Sequence, residues 1–317
     1  MRHALAGLLL GLSIIPVPLS DARAQGNEAI VGVMADGRDD FGLAMRLAAA
    51  LDHQQDLRIL PMAGKGPVQT LSDLLFLKNV DAAILPSDVF AYAERNGLLK
   101  ADKDKAVYLV KLGSLEVHLV ARDGIDSIAG LAGKRVATGS TASLGFIAAH
   151  VLLADAATAV EEYPVDGEAA VKALAEGSVD AAFLVGTKPL PVLTSLKAKG
   201  LHLVALQAPA GAGAAYAPAL ITAADYPNLL RKQQTVETVS SALVIAVLDS
   251  PKGSAQDRKI ARFAEGLFGA LDISSAAGAG LNLAQTVPGW RRARAAEDML
   301  KQRASLTRQP RLATTEN

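Results

Sequence analysis

A run of small and hydroxyl-bearing residues is the part of this chain whose types and spacing best suit the binding of a small anion. Gly139, Ser140, Thr141, Ala142 and Ser143 follow a short predicted strand and precede an apolar helical segment. Such a turn leaves unpaired N–H groups at the start of the helix beside short hydroxyls, which suits a carboxylate, a sulfonate or a phosphate. The alternative interpretation is that the hydroxyls only cap the helix.

This turn lacks the residues of the common catalytic and nucleotide-binding motifs. Lys134 is followed by Arg135 and not by the Ser or Thr of a phosphate loop, and the segment from Thr141 to Gly145 lacks the first glycine of a hydrolase nucleophile elbow. The chain has no Cys, and its 5 His are dispersed without a metal-binding spacing. We therefore expect no enzymatic activity, no metal and no cofactor.

The N-terminus predicts export. Arg2 provides a positive charge, residues 4–19 are apolar, and Ala22-Arg23-Ala24 forms a cleavage site before Gln25. The apolar stretch is shorter than the roughly 20 residues of a membrane-spanning helix. We predict a signal peptide at residues 1–24 and a mature protein located in the periplasm that does not itself span the membrane.

Composition narrows the class of ligand and partner. Lys and Arg total 32, as do Asp and Glu, so no overall field attracts nucleic acid or anionic lipid. Aromatic residues make up only 4% of the chain, which disfavours a sugar stacked on aromatic rings. Any selectivity for charge must therefore be local.

The elements that position the turn alternate between short β-rich runs and amphipathic helical runs. This alternation predicts an α/β protein in which each of two lobes has a mostly parallel sheet flanked by helices. We assign residues 25–114 and 223–304 to the first lobe, 115–222 to the second, and 305–317 to a disordered tail. Closure would bend the chain where it crosses between lobes, near residues 115–121 and 217–235.

The two predicted lobes repeat each other. In each, a strand runs into a small-residue turn and a helix, as in MAGKGPVQTLSDLL and VATGSTASLGFIAA. Each also has a short Asp-led strand, DAAILPSD in the first and DAAFLVGTKP in the second. In open α/β sheets the carboxyl ends of the strands hold the ligand, so the matching turns predict a binding cleft between the lobes.

These segments resemble, in order and across nearly the whole mature chain, the extracytoplasmic solute-binding proteins of tripartite ATP-independent periplasmic (TRAP) transporters, in the TAXI branch. The most specific segment is HLVARDGIDSIAGLAGKRVATGSTAS at residues 118–143. ADGRDDFGLA, DAAILPSD and DAAFLVGTKP match more weakly. The resemblance implies a two-lobed periplasmic binding protein of type II fold that serves integral membrane transporter subunits.

The predicted ligand-binding residues lie in the turns that face the cleft. They are Gly37, Arg38, Phe41, Gly64, Lys65, Gly66, Asp88, Gly139, Ser140, Thr141, Ala142, Ser143, Gly186, Thr187, Lys188 and Tyr216. Lys65 and Lys188 are either partners of an anionic ligand or solvated surface charges, and Phe41 and Tyr216 either contact the ligand or fill the core. Asp88 is most simply a helix cap.

Two departures from the family pattern fall in the predicted pocket. Pro67 stands where the family has a serine, and it offers neither a hydroxyl nor an N–H, although it suits the first position of a helix. Asp39 and Asp40 stand where the family has small residues, and carboxylates that point inward would repel an anion.

The sequence thus predicts a periplasmic receptor that captures a small organic acid, such as a carboxylate, an amino acid or a keto acid, for a TRAP-type transporter. Pro67 and the aspartate pair keep open the alternative of a ligand-sensing or scaffold subunit that serves a signalling partner. A third alternative is an enzyme on the same fold that resembles thiamine-pyrimidine biosynthetic proteins.

Overall fold

A computed structural model describes residues 29–52, 57–98, 105–141, 143–196, 200–208, 215–274 and 282–308. The strands are β1 (Ala29–Ala35), β2 (Leu57–Ala63), β3 (Ala82–Pro86), β4 (Ala106–Arg122), β5 (Arg135–Ala137), β6 (Glu161–Tyr163), β7 (Ala181–Gly186), β8 (Leu201–Val204), β9 (Ala217–Thr222) and β10 (Thr235–Leu248). The helices are α1 (Gly37–Leu51), α2 (Pro67–Phe76), α3 (Val89–Arg95), α4 (Leu144–Asp155), α5 (Gly167–Glu176), α6 (Pro191–Thr194), α7 (Ala255–Ser274) and α8 (Arg294–Arg308). The predicted signal peptide lies outside the described residues.

The first lobe has the strand order β2, β1, β3, β10, β4. β1 is parallel to β2 and to β3, whereas β10 runs antiparallel to β3 and β4. Val33 and Leu85 are fully buried. Strands of a sheet that is covered on both faces read as continuous apolar runs, which is why the sequence marks β1 and β3 clearly.

The second lobe repeats this arrangement with the order β6, β5, β7, β4, β8. β5 is parallel to β6 and β7, and β4 runs antiparallel to β7 and β8. β4 therefore takes the place in the second lobe that β10 takes in the first. The predicted two-lobed α/β fold is confirmed.

β4 and β10 continue from one lobe into the other. Ala106 of β4 lies opposite Leu248 of β10 in the first lobe, and Glu116 lies opposite Ser240 at the boundary. β4 then pairs with β7, from Glu116 opposite Gly186 onward. The ladder between β4 and β10 is interrupted by register shifts next to Leu243 and next to Ile245. The two lobes are thus joined by neighbouring strands with an irregular ladder.

The apolar core has one part that both lobes share. This shared cluster contains Leu74 of α2 in the first lobe and Ile147 of α4 and Phe183 of β7 in the second. A separate cluster around Phe263 of α7 belongs to the first lobe, and another around Tyr226 belongs to the second. The shared cluster packs α2, α3 and α4 against one face of the joined sheets.

Several element and lobe boundaries differ from the prediction. β9 pairs with the first half of β10, and Tyr226 and Leu230 pack in the core of the second lobe, although the predicted first lobe resumes at residue 223. β4 starts at Ala106, well before the strand predicted from residue 115, and its first five residues are a buried apolar run that the prediction left unassigned. α8 ends at Arg308, so residues 305–308 of the predicted disordered tail are helical.

Within the described ranges, no helix is both long enough and apolar enough to span a bilayer.

Candidate functional site

A cavity of about 390 Å³ lies between the two lobes, at the carboxyl ends of their parallel strands. The first lobe contributes Asp36 after β1, the end of β3 and the starts of α1 and α2. The second lobe contributes the end of β7 and the starts of α4 and α6, and the crossing strands form the floor. The lining residues are Asp36, Gly37, Asp40, Pro67, Ile84, Pro86, Leu115, Ser143, Leu144, Val185, Gly186, Thr187, Leu190, Pro191 and Leu243. The cleft predicted from the matching turns therefore exists as a cavity.

A second cavity, of about 320 Å³, continues this cleft into the second lobe. It shares Ser143, Leu144, Val185, Leu190 and Pro191 with the first, and it adds Asp166 and the start of α5 to the wall. The two cavities together offer room for a small organic molecule whose ends face different lobes.

The predicted anion-binding turn of the first lobe is occupied by a carboxylate of the chain itself. Asp36 Oδ1 accepts hydrogen bonds from Gly66 N (3.0 Å) and Thr70 Oγ1 (2.8 Å). Gly64 passes so close to Asp36 and Thr70 that a Cβ there would clash with both side chains. Pro67 is the first residue of α2, as predicted, so its missing N–H costs nothing there.

Asp36 is the residue that sequence reasoning missed in this lobe. Burial raises its pKa above the usual value, while the hydrogen bonds from Thr70 and Gly66 act in the opposite direction. Its second oxygen, Oδ2, is buried and has no hydrogen-bond partner among the described residues. The position of Asp36 directly after the buried run of β1 was a usable signal, because residues at that end of a strand face the cleft.

The hydroxyl turn of the second lobe is also occupied internally. Ser140 Oγ donates to Asp166 Oδ2 (2.7 Å), and Ser140 N lies 3.4 Å from the same oxygen. Ser143 Oγ accepts from Phe146 N (3.2 Å) and donates to Ser140 O (2.9 Å), which is helix capping. Thr141 is exposed to solvent. Of the hydroxyls in this turn, Ser143 lines the cavity.

Gly139 and Ala142 complete that turn. Gly139 has a φ of +90°, and a Cβ there would clash with Ser143 Oγ, so the turn requires glycine at this point. Ala142 lies outside the described residues.

The turn after β7, residues 187–190, donates backbone hydrogen bonds to the polar side chains of Glu116 and Tyr226. Glu116 Oε2 accepts from Lys188 N (3.2 Å), and the hydroxyl of Tyr226 accepts from Leu190 N (2.7 Å). That hydroxyl also lies 2.8 Å from His118 Nε2. Burial lowers the pKa of His118 to about 4, so the ring is neutral at neutral pH and can accept the Tyr226 proton. Gly186 and Thr187 of this turn line the cavity.

The two predicted lysine partners do not line the cleft. Lys188 Nζ pairs with Asp225 Oδ2 (3.0 Å) and donates to Leu220 O (2.6 Å), away from both cleft cavities. Lys65 is exposed. The side chain of Arg38, at the start of α1, lies outside the described residues.

Asp88 and Tyr216 contact each other rather than the cleft. The Asp88 side chain does not cap α3, contrary to the prediction, and its Oδ2 accepts a hydrogen bond from the Tyr216 hydroxyl (2.8 Å). Both residues are almost fully buried. Phe41 packs against the core of the first lobe. These three residues form part of the packing beside the cleft.

The described lining of both cleft cavities combines apolar side chains with carboxylates. Asp36 and Asp40 lie on the first-lobe side and Asp166 on the second-lobe side, and no Lys, Arg or His occurs among the described lining residues. Within the described ranges, no group of His, Asp and Glu could hold a metal ion.

Comparisons with known proteins give similar folds at low identity. No protein-family model and no curated protein matches the chain. The protein XAC2383 from Xanthomonas citri bound to ATP is 12% identical over 77% of this chain and 87% of that chain, with a TM-score of 0.49.

Two further solved structures are similar at the same level. The GluR0 ligand-binding core from Nostoc punctiforme in complex with L-glutamate is 18% identical over 77% of this chain and 94% of that chain, with a TM-score of 0.46. The periplasmic aliphatic sulphonate binding protein SsuA from Escherichia coli is 16% identical over 78% and 72%, with a TM-score of 0.42. Similarity at this level carries no information on the ligand or the partner of the present chain.

Proposed function

We propose that this protein is a periplasmic receptor that closes its two lobes over a small organic acid and delivers it to a TRAP-type membrane transporter. The observation that carries the proposal is the cavity between the lobes, whose wall draws on both lobes and on the crossing strands. Leu115 of β4 and Leu243 of β10 form part of its floor, and the ladder is irregular beside Leu243. Bending of these strands would change the width of the cavity directly.

The start of α1 supports an acid group on the ligand. Gly37, the first residue of this helix, lines the cavity, and the space beside its Cα is open. The N-cap residue Asp36 does not cap α1, because its carboxylate is directed to the start of α2. Backbone N–H groups at an uncapped helix start suit a carboxylate.

The assignment of location and partner rests on the sequence. The predicted signal peptide supports the periplasm, and the resemblance to the TAXI branch supports a transporter with integral membrane subunits. Recovery of transporter subunits from native membranes with the tagged receptor would support this partner, whereas recovery of a sensor kinase would favour the signalling alternative.

A thermal-shift screen of the mature protein from Gln25 onward tests the binding function. Dicarboxylates, amino acids, keto acids and sulfonates are added singly. A ligand that binds only the folded state increases the unfolding free energy, by about 2.7 kcal/mol at a concentration of 100 Kd, and thereby raises Tm. Hits are then titrated by calorimetry.

A cavity-filling variant makes the screen specific. Thr187→Trp places a large side chain at an exposed position of the cavity wall and should abolish the shift, whereas Thr194→Trp, at an exposed position of α6 outside the wall, should retain it. A ligand that binds both variants equally binds elsewhere, and a screen without any hit contradicts the proposed function.

A further inference from the structure

We propose that Glu116 and His118 of the crossing strand β4 are positioning residues, which hold the turn at residues 187–190 where it forms the second-lobe wall of the cleft. This inference rests on the proposed receptor function and concerns the shape of the binding site, not the identity of the ligand. Neither residue is among the described lining residues of the two cleft cavities, so each acts through the turn.

The turn at residues 187–190 lines the cleft without belonging to a helix or a strand. Thr187 and Leu190 line the first cleft cavity, and Leu190 also lines the second. β7 ends at Gly186 and α6 begins at Pro191, so no regular ladder of backbone hydrogen bonds runs through the turn. Groups outside the turn must therefore fix its position.

Glu116 lies where β4 changes its partner between the lobes. The ladder between β4 and β10 ends with Glu116 opposite Ser240, and the ladder between β4 and β7 starts with Glu116 opposite Gly186. The Glu116 side chain is buried, and its Oε2 accepts a hydrogen bond from Lys188 N (3.2 Å). The carboxylate thus joins the wall of the cleft to the residue at the boundary between the lobes.

His118 acts on the same turn through Tyr226. Its Nδ1 lies 3.1 Å from the backbone oxygen of Glu116 and therefore carries the ring proton, so Nε2 accepts from the Tyr226 hydroxyl (2.8 Å). With its proton directed to His118, that hydroxyl presents a lone pair to Leu190 N, which donates to it (2.7 Å). Both rings are buried, so the protein fixes the orientation of the hydroxyl.

A third contact ties the turn to the same strand. Thr187 Oγ1 donates to Ser114 O (3.2 Å), so the three contacts go back to positions 114, 116 and 118 of β4. Alternate residues of a strand share one face, so a twist of β4 would move these attachments together. The wall of the cleft should therefore follow the crossing strand when the strand bends.

Hydrogen exchange of the mature protein tests the inference without a ligand. Glu116→Ala leaves the Lys188 amide without its acceptor, and His118→Leu leaves the Tyr226 hydroxyl without the partner that orients it toward Leu190. NMR should show that the Lys188 amide in the first variant and the Leu190 amide in the second exchange about 10- to 100-fold faster than in wild type. Glu116→Gln keeps an oxygen acceptor and should restore slow exchange. Unchanged exchange in Glu116→Ala and His118→Leu overturns the inference, and where one of the two does not fold, the other decides.

Val151→Ala is the matched control for lost stability. Val151 is fully buried in the core cluster that both lobes share, and the described members of this cluster include no residue of the turn. The variant should lower the unfolding free energy and leave both exchange rates unchanged, because amides of a turn exchange by local opening. Equal acceleration in Val151→Ala and Glu116→Ala would show that Glu116 contributes only general stability, and the inference would be wrong.

Calorimetry measures what the positioned turn does for binding, with succinate, glutamate, 2-oxoglutarate and ethanesulfonate as the probes. A probe that binds wild type should bind Glu116→Ala about 10-fold more weakly or worse, and it should bind Glu116→Gln and Val151→Ala with wild-type affinity. Fast exchange in Glu116→Ala without a loss of affinity overturns the inference and leaves the receptor function intact. If none of the four probes binds, that result counts against the receptor function, and the exchange rates still decide whether Glu116 and His118 position the turn.

Discussion

The Asp88 carboxylate is almost completely buried. This burial raises its pKa to about 6 despite the hydrogen bond from Tyr216. In the unfolded chain an aspartate titrates near 3.9. The folded state therefore holds a proton that the unfolded state has lost between about pH 4 and pH 6. The stability that this proton provides is complete below pH 4 and disappears as the pH rises through 6, by roughly 3 kcal/mol in total.

We accordingly expect Asp88→Asn to remove this pH dependence. The amide stays neutral and can still accept a hydrogen bond from Tyr216, so the difference in unfolding free energy between variant and wild type should grow in favour of the variant from pH 4.5 to 7. Urea unfolding at several pH values measures that difference. Asp298→Asn, whose side chain is 67% exposed and lies beside Lys301, is the control and should give a constant difference. If the unfolding free energies of Asp88→Asn and wild type differed by the same amount at every pH, the raised pKa of Asp88 would be contradicted.

At the scale of single elements, the turn from Gly186 to Leu190 is positioned by a residue far away in the chain. The Tyr226 hydroxyl accepts from Leu190 N, which is half-buried, and lies against His118 Nε2, which is in the interior of the second lobe. Tyr226→Phe leaves the buried His118 Nε2 without a donor and the Leu190 N–H without its acceptor, and it should cost about 1 to 3 kcal/mol of unfolding free energy. It should also weaken ligand binding, because Gly186 and Thr187 of the same turn line the cavity.

Urea unfolding and calorimetry with the best ligand of the screen check this expectation. Tyr163→Phe removes the same hydroxyl from a residue that is 42% exposed, and it should change neither quantity by more than about 0.5 kcal/mol. A Tyr226→Phe variant that keeps full affinity would show that the turn is positioned by the backbone alone.

Local sequence patterns predict the secondary-structure elements and the fold, but they do not predict the contacts at the candidate site. Buried strands such as β1 and β3 are marked by apolar runs, and Pro67 marks the first residue of α2, so the two-lobed fold follows from local patterns. The site does not, because the group that occupies each turn is distant in sequence. Asp36 reaches Gly66 across 30 positions and Asp166 reaches Ser140 across 26, and no local pattern reports such a contact.

At the scale of the whole molecule, the lobes share a core as well as two strands. Leu74 of the first lobe and Phe183 of the second belong to the same buried cluster, and α3 and α4 meet through Arg95 and Asp155, whose side chains lie 3.1 Å apart. A continuous core links the stability of one lobe to that of the other. If the proposed closure over a ligand occurs, it would bend β4 and β10 and not separate independent lobes.

This coupling predicts that both lobes unfold in one transition. The chain has 1 Trp, and Trp290 contacts Ser87 and Phe90 of the first lobe, so its fluorescence reports on that lobe while far-ultraviolet circular dichroism reports on both. The two probes should give the same urea midpoint. Phe183→Leu, a core change in the second lobe worth about 1 to 3 kcal/mol, should lower the midpoint seen by Trp290 as much as that seen by circular dichroism.

Phe263→Leu in the first lobe provides the matched comparison, because the buried members of the cluster around Phe263 all come from the first lobe and the strands that cross between the lobes. If the lobes were independent, Phe263→Leu would shift the Trp290 signal and Phe183→Leu would leave it in place. Equal shifts in both variants mean that the shared cluster transmits the loss of packing from one lobe to the other. A protein whose lobes share a core in this way unfolds as one unit, so core substitutions far from the cleft in either lobe should lower the unfolding free energy of the whole protein while leaving the ligand affinity of the folded state unchanged.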